Sequence, residues 1–109
     1  MSTLEQGISL FQSGAYEEAI AILSPIAEQG NAEAQSILGC IYQLSDFLFD
    51  IGNSIYWYQK ASEQGHGLAT NNLGTLYFVG KGVEQSKAKA KELYEKARAQ
   101  GFLHSPILE

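Results

Sequence analysis

The sequence predicts an all-α fold, a short right-handed α-solenoid of about three helix-turn-helix repeats. The first observation is an internal repeat: the dipeptide Gln-Gly ends three segments, at 29–30, 64–65 and 100–101, with the glycines 35 and 36 residues apart. The second is that apolar residues within each segment stand at helical spacing. Repeats with periods of about 20–50 residues are typical of solenoids, in which each unit buries its apolar face against its neighbours.

The first helix of a unit is indicated by residues that recur along the chain. Apolar side chains stand three and four residues apart in two units, at Leu38, Ile41 and Tyr42 and at Leu73, Leu76 and Tyr77. Four residues recur at an offset of 35, so that Ala34, Leu38, Gly39 and Tyr42 correspond to Ala69, Leu73, Gly74 and Tyr77. Two units therefore begin with the same kind of helix.

The second helix of each unit is rich in Ala, Glu, Lys and Gln and is expected at about 15–29, 50–64 and 86–100. Asp50 and Ser86 stand where an N-cap is needed, and Ser2 with Glu5 is expected to form a capping box at the start of the chain. A glycine suited to the left-handed C′ position follows each second helix, at Gly30, Gly65 and Gly101.

Two glycines lie inside the predicted first helices, where glycine costs up to about 1 kcal/mol relative to alanine. Gly39 and Gly74 occupy the same position of their repeats. A repeated cost at one position indicates a close helix crossing that admits no side chain. The small residues expected around this crossing are Ala19, Ser54 and Ala90.

Length and composition exclude several classes of protein. A chain of 109 residues and 11.9 kDa forms one domain with an ordinary globular composition. The single cysteine, Cys40, excludes an intrachain disulfide and a cysteine-built zinc site. The first twelve residues do not resemble a signal peptide, and no stretch has the about 20 apolar residues of a membrane span. We therefore expect a cytoplasmic protein.

Charge is distributed unevenly along the chain. Residues 1–59 carry seven acidic residues and no Lys or Arg, for a net charge of −7, whereas residues 60–109 carry all seven basic residues and a net charge of +2. The acidic half repels phosphates, which argues against nucleic-acid binding. It can instead attract a basic protein partner, with Glu17 and Glu18 as candidate contacts, or be merely a solvated surface.

The repeated residues resemble the Sel1-like repeats, which are related to the tetratricopeptide repeat. The third unit matches the family pattern at Ala69, Leu73, Gly74, Tyr77, Gly80, Gly82, Val83, Ala90, Tyr94, Lys96, Ala97, Gln100 and Gly101. The second unit matches at Ala34, Leu38, Gly39, Tyr42, Trp57, Tyr58, Lys60, Ala61, Gln64 and Gly65. The first unit is degenerate. The resemblance covers about residues 4–102 and implies units at about 2–31, 32–66 and 67–102, followed by a tail at 103–109.

The resemblance also implies a concave groove lined by the first helices. Its exposed positions would be Glu33, Ser36, Cys40 and Gln43 in the second unit, and Leu68, Asn71, Asn72, Thr75, Phe78 and Val79 in the third. We take Ser36, Gln43, Asn71, Thr75 and Phe78 as candidate partner contacts; the alternative for Phe78 is packing under the tail. Lys and Arg are missing from these positions, so a clamp for a terminal carboxylate is not expected.

Two apolar segments depart from the family pattern. At 46–50 the chain places Phe47, Leu48 and Phe49 between two aspartates, where the family has a Gly- and Lys-containing turn. We expect one phenylalanine ring to fold over the junction of units one and two, and the other to stay exposed as a partner or dimer contact. The tail is expected to fold back as an apolar cover, with Phe102, Leu103, Ile107 and Leu108.

Candidates for chemistry are few. His66 and His104 lack a second metal ligand at a suitable spacing, no base stands near Cys40 in sequence, and segment 74–81 matches a phosphate loop poorly. The repeat aromatics Tyr42, Trp57, Tyr58, Tyr77 and Tyr94 are expected in the core rather than in a ligand site. The sequence therefore predicts no catalytic residue, no cofactor and no metal.

The function predicted from the sequence is a non-catalytic protein-interaction module that binds through its groove or its acidic surface. A narrower alternative is a cytosolic immunity protein that neutralises a basic bacterial toxin. A second alternative is self-assembly, as a homodimer formed through the tail or through the 46–50 turn. A hydrolase built on the repeats is the alternative from another class, and it would need convergent titratable groups in a pocket.

Overall fold

The computed structural model describes residues 3–109, and within this range the chain is all-α, as the sequence predicts. Its six helices pair in chain order into three units, which we call unit one, unit two and unit three. The units are formed by α1 (Leu4–Gln12) with α2 (Tyr16–Glu28), α3 (Ala32–Leu44) with α4 (Ile51–Glu63), and α5 (Gly67–Val79) with α6 (Lys87–Ala99). The molecule measures 47 × 27 × 22 Å along its principal axes.

The helix ends follow the predicted capping residues with one correction. Asp50 and Ser86 cap α4 and α6, accepting hydrogen bonds from Asn53 N at 3.1 Å and from Lys89 N at 3.1 Å. The first helix is capped by Thr3, which forms a capping box with Gln6. The prediction that Glu5 is the second residue of the capping box is therefore wrong. Ser2 itself lies outside the described residues. The three glycines that follow the second helices all have positive φ, at Gly30, Gly65 and Gly101.

The interior glycines mark close helix crossings. A Cβ atom at Gly39 would lie 2.6 Å from the ring of Tyr58, and one at Gly74 would lie 3.0 Å from the ring of Tyr94. The predicted crossing is confirmed, although the side chains that fill it are the repeat tyrosines rather than the small residues. Those small residues are fully buried beside it, at Ala19, Ser54 and Ala90. Ser54 also donates a hydrogen bond to Gly39 O at 2.8 Å.

The apolar interior forms two clusters, one between units one and two and one between units two and three. The first contains Leu23, Leu38 and Ile41 and is covered by Trp57 and Tyr42; the second is built around Tyr58, Leu73 and Leu76. The repeat aromatics thus lie in or against the core, as predicted. No helix within residues 3–109 combines the length and the hydropathy that crossing a bilayer would require.

Candidate functional site

A shallow depression of about 320 Å³ lies where the α1–α2 turn meets the loop that joins α3 to α4. Its lining includes Glu17 and Glu18 from the start of α2, and Phe47 from loop 45–50. The Phe47 side chain is 97% exposed, which is unusual for an aromatic ring in a single folded chain. We call the exposed residues Glu17, Glu18, Asp46 and Phe47 the acidic turn surface.

Loop 45–50 has a fixed conformation that projects Phe47 outward. Ser45 N donates to Ile41 O at 3.0 Å, Leu48 N donates to Ser45 Oγ at 3.2 Å, and Asp50 N donates to Tyr42 O at 2.8 Å. Leu48 packs against the first apolar cluster. Because both ends of the loop and its centre are held, Phe47 is left on the solvent side.

The prediction that one phenylalanine of the loop is buried is wrong. Phe49 is 49% exposed, and Leu48 is the loop residue that packs over the junction of units one and two. The ring of Phe49 is instead covered by a cation, because Lys81 Nζ from the α5–α6 turn lies 5.0 Å from the ring centroid. Residues 46–48 form a turn, in which side chains do not alternate as they do along a strand, so the local sequence does not mark Leu48 as the inward residue.

Within residues 3–109, the carboxylates of the acidic turn surface are in no salt bridge. The close contacts of carboxylates with basic side chains within residues 3–109 are a hydrogen bond of His66 with Glu33 at 2.8 Å and an ion pair of Lys89 with Glu92 at 4.0 Å. Glu17, Glu18 and Asp46 are exposed and belong to neither pair. Residues 1–59 contain no Lys or Arg, and the cation placed at loop 45–50 is Lys81 from the α5–α6 turn, over the ring of Phe49.

The predicted groove residues are largely engaged within the chain. Tyr58 donates to Gln43 Oε1 at 2.7 Å, and the hydroxyls of Thr75 and Tyr94 lie 2.8 Å apart. Asn71 and Phe78 are half-buried. The predicted exposure of Ser36 is wrong: it is 2% exposed, because α3 is packed against four other helices, α1, α2, α4 and α5.

Cys40 lies in the polar cluster at the end of the Tyr58 side chain. Burial raises the pKa of its thiol, and the nearby charge of Glu33 acts in the same direction, against a lowering by the hydrogen bond from Tyr58. Asn72 Nδ2 approaches the sulfur at 3.8 Å. A thiol held protonated in this way is a poor nucleophile, so the position is suited to packing rather than to catalysis.

His66 has a structural role at the start of α5. Its Nδ1 accepts a hydrogen bond from Ala69 N at 3.2 Å, which leaves the proton on Nε2 to be donated to Glu33 Oε2 at 2.8 Å. The residue thereby joins units two and three. The described residues contain no group of three or more His, Cys, Asp and Glu that could hold a metal ion.

A second exposed aromatic position was missed by the sequence analysis. Tyr56 lies on the outer side of α4, edge-on to Trp57 at 4.9 Å between ring centroids, with Lys60 Nζ 5.5 Å from its own ring. Together with Glu28 and Glu63 these residues line a depression of about 350 Å³ between units one and two. The sequence signal was available, since Tyr56 precedes the repeat aromatics and the family pattern does not require it.

Comparison with known proteins extends these observations. The Sel1 repeat family model matches residues 32–66 and 67–102. A Sel1 repeat protein from Oxalobacter formigenes superposes with a TM-score of 0.82 at 32% identity, covering 90% of this chain and 41% of that one. A protective antigen of uropathogenic Escherichia coli with an SLR fold gives a TM-score of 0.78 at 32% identity, covering 90% of this chain and 22% of that one.

Curated relatives match a shorter stretch. The proteins named DAP3-binding cell death enhancer 1 from Rattus norvegicus and Mus musculus are each 28% identical over 85 residues. That stretch is 78% of this chain but only 16% of each relative, so the chain spans a small part of the relatives it matches.

Proposed function

The chain belongs to the Sel1 repeat family, and from this premise we propose that it is a non-catalytic module that binds a basic partner protein through the acidic turn surface. Sel1 repeat proteins are generally protein-interaction modules. The name of the rat and mouse relatives describes binding to another protein, which is consistent with the same kind of role here. A repeat scaffold acts through the side chains that it displays, so the exposed residues carry the proposal.

The observation that carries it is the 97% exposed ring of Phe47 beside Glu17 and Glu18. An exposed aromatic ring surrounded by charge has the arrangement of an interface contact, with an apolar centre and a polar rim. The carboxylates would attract a basic partner over a distance of about one Debye length and would orient its approach. The groove is the weaker candidate, because Gln43 and Thr75 already hydrogen-bond Tyr58 and Tyr94, and Ser36 is buried.

The test is capture of partners from a native lysate, followed by affinity measurement with the captured protein. The variant Phe47→Ser with Glu17→Lys should lose the partner, since it removes the ring and reverses a neighbouring charge. Glu28→Lys is the matched control, because it makes the same charge change on α2 at a residue of the other depression. We expect the association rate to fall as salt increases. Binding that is independent of salt and survives the double change would refute the proposal.

A narrower form of the proposal is an immunity role in the cytoplasm, in which the partner is a basic toxin and binding neutralises it. The net charge of −7 on residues 1–59 favours it, because nucleic-acid-degrading toxins need basic surfaces to hold their substrate. The captured partner would be assayed for nuclease activity with and without an excess of this chain. Full activity of the complex would leave the binding role intact and remove the immunity role.

A further inference from the structure

The second helices pack on the preceding unit through one repeated position. Trp57 of α4 packs against the first apolar cluster, and Leu93 of α6 belongs to the second cluster. The same position of α2, 35 residues before Trp57, is Ile22. Ile22 is half-buried and lines a depression of about 290 Å³ together with Leu10, Gln6 and Ser9. Unit one thus presents the surface that units two and three use for stacking.

Unit three, at the opposite end of the molecule, differs from unit two in the residues that would face a following unit. Ile51 and Ile55 of α4 pack against the second apolar cluster, and the corresponding residues of α6, 36 positions later, are Lys87 and Lys91. Both lysines are exposed. Unit three therefore replaces an apolar stacking surface with two cations.

The tail adds apolar groups to unit three and is held by a residue on the face of α6 that carries these lysines. Lys87, Lys91 and Arg98 share one face of α6 because they are spaced by four and seven residues. Arg98 Nη1 donates to Ser105 O at 3.1 Å and to Pro106 O at 2.8 Å, which holds the tail against that face. Leu103 and Ile107 are nevertheless 74% and 80% exposed. The expected apolar cover is thus incomplete, since these two side chains point to solvent.

The two ends carry opposite charge. Residues 3–31 contain four glutamates and no basic residue, a net charge of −4, whereas residues 67–102 contain six basic and three acidic residues, a net charge of +3. Glu18 stands one helical turn before Ile22, and Glu5 stands one turn before Ser9. Acidic side chains therefore border the depression of unit one.

We propose that unit three of one copy docks head to tail on unit one of a second copy. Leu103 and Ile107 enter the depression at Leu10 and Ile22, and the two lysines face Glu5 and Glu18. The contact continues the stacking used between units within the chain, and it is heterologous, so it builds open rows or a closed ring rather than a two-fold dimer. It goes beyond the proposed function, because it needs neither Phe47 nor another protein.

Sedimentation velocity over a concentration series tests this contact. At about 0.02 M salt the average mass should rise above the monomer's 11.9 kDa with concentration, and at about 0.5 M salt it should return toward that value. The pair of changes Lys87→Glu and Lys91→Glu, and the pair Glu5→Lys and Glu18→Lys, should each give a monomer. An equimolar mixture of the two variants should associate again, because each end then meets the opposite charge.

The control variant, Glu28→Lys with Glu63→Lys, reverses two exposed charges outside the docking surface and should associate like the wild type. A wild type that stays monomeric at every concentration, or a mixture that fails to associate, would overturn the contact. So would association that persists in both charge variants but is lost in Phe47→Ser, since the dimer face would then be loop 45–50. Failure of the proposed function is distinct: partner capture then survives the change at Phe47, whatever the average mass of the protein.

Discussion

Unit one and unit three solve the same helix crossing with different side chains. In unit three, Gly74 faces the ring of Tyr94, whose hydroxyl lies 2.8 Å from the Thr75 hydroxyl. In unit one, Gly7 faces Leu23, which is fully buried. The position of Thr75 is taken there by Ile8, an apolar residue that packs against the first cluster. The crossing requires a glycine, but the side chain that fills it can be polar or apolar if its end finds a matching partner.

The same carbonyl position accepts a hydrogen bond at both junctions, but from glutamines at different positions of the repeat. Gln35 Nε2 donates to Ala27 O at 3.0 Å across the first junction, and Gln100 Nε2 donates to Ser62 O at 3.1 Å across the second. Gln64 reaches Gln35 at 2.9 Å within unit two. These bonds explain why the Gln-Gly dipeptides of units two and three contain glutamine. The glutamine side chains supply hydrogen-bond partners close to the helix ends.

The largest effect should come from removing the apolar filling of unit one. Leu23→Ala should lower the free energy of unfolding by about 3 kcal/mol, since the cavity lies opposite a glycine that cannot fill it. Urea denaturation monitored by circular dichroism measures this. A loss below about 1 kcal/mol would mean that unit one closes over the gap and that its crossing is looser than that of unit three.

Adding a methyl group at the interior glycine should destabilise unit two more than unit three. Gly39→Ala should cost about 2 kcal/mol, because its Cβ would lie 2.6 Å from the Tyr58 ring, and Gly74→Ala should cost less, because the distance to Tyr94 is 3.0 Å. Gly52→Ala is the control, since the nearest atom is Asp50 Oδ1 at 3.4 Å, and it should be neutral or stabilising. Thermal unfolding of the three variants gives the order, and equal losses at Gly39 and Gly74 would contradict it.

Alkaline pH should reveal the buried phenol of unit two. Burial raises the pKa of Tyr58 well above its ordinary 10.0, so the folded chain keeps a proton that the unfolded chain loses above that pH. The stabilisation is complete below pH 10 and should fall by about 1.4 kcal/mol per pH unit as the pH rises further. Tyr58→Phe should be less stable near neutral pH by about 1 kcal/mol but should lose less stability above pH 10. Parallel pH profiles for both proteins would refute this account.

The smallest effect on stability is expected at the exposed ring of the acidic end. Phe47→Ser should change the free energy of unfolding by less than about 0.5 kcal/mol, because the side chain buries almost nothing within the chain. Leu48→Ser, one residue away, is the matched comparison and should cost more, since Leu48 packs against the first cluster. Chemical denaturation of both variants decides it. Equal losses would mean that Phe47 also belongs to the core.

Local chemistry was enough to determine much of this protein from its sequence. The second helices, the caps at Asp50 and Ser86 and the left-handed glycines depend on residues within four or five positions of one another, so a single segment contains the information. The helix crossings at Gly39 and Gly74 were also predictable. Glycine lowers helix stability relative to alanine, and its recurrence at the same position of two repeats indicates that the same close contact recurs.

Only the tertiary structure decided which side chains face solvent. Ser36 is buried because α3 is surrounded by four helices, and loop 45–50 turns Leu48 inward while both of its phenylalanines remain accessible. Lys81, 32 residues further along the chain, is what covers the ring of Phe49. Burial depends on neighbours that are distant in sequence, and no local pattern contains their positions. The helices and their ends were therefore set by the sequence of each segment, and the exposed surface by the packing of the units.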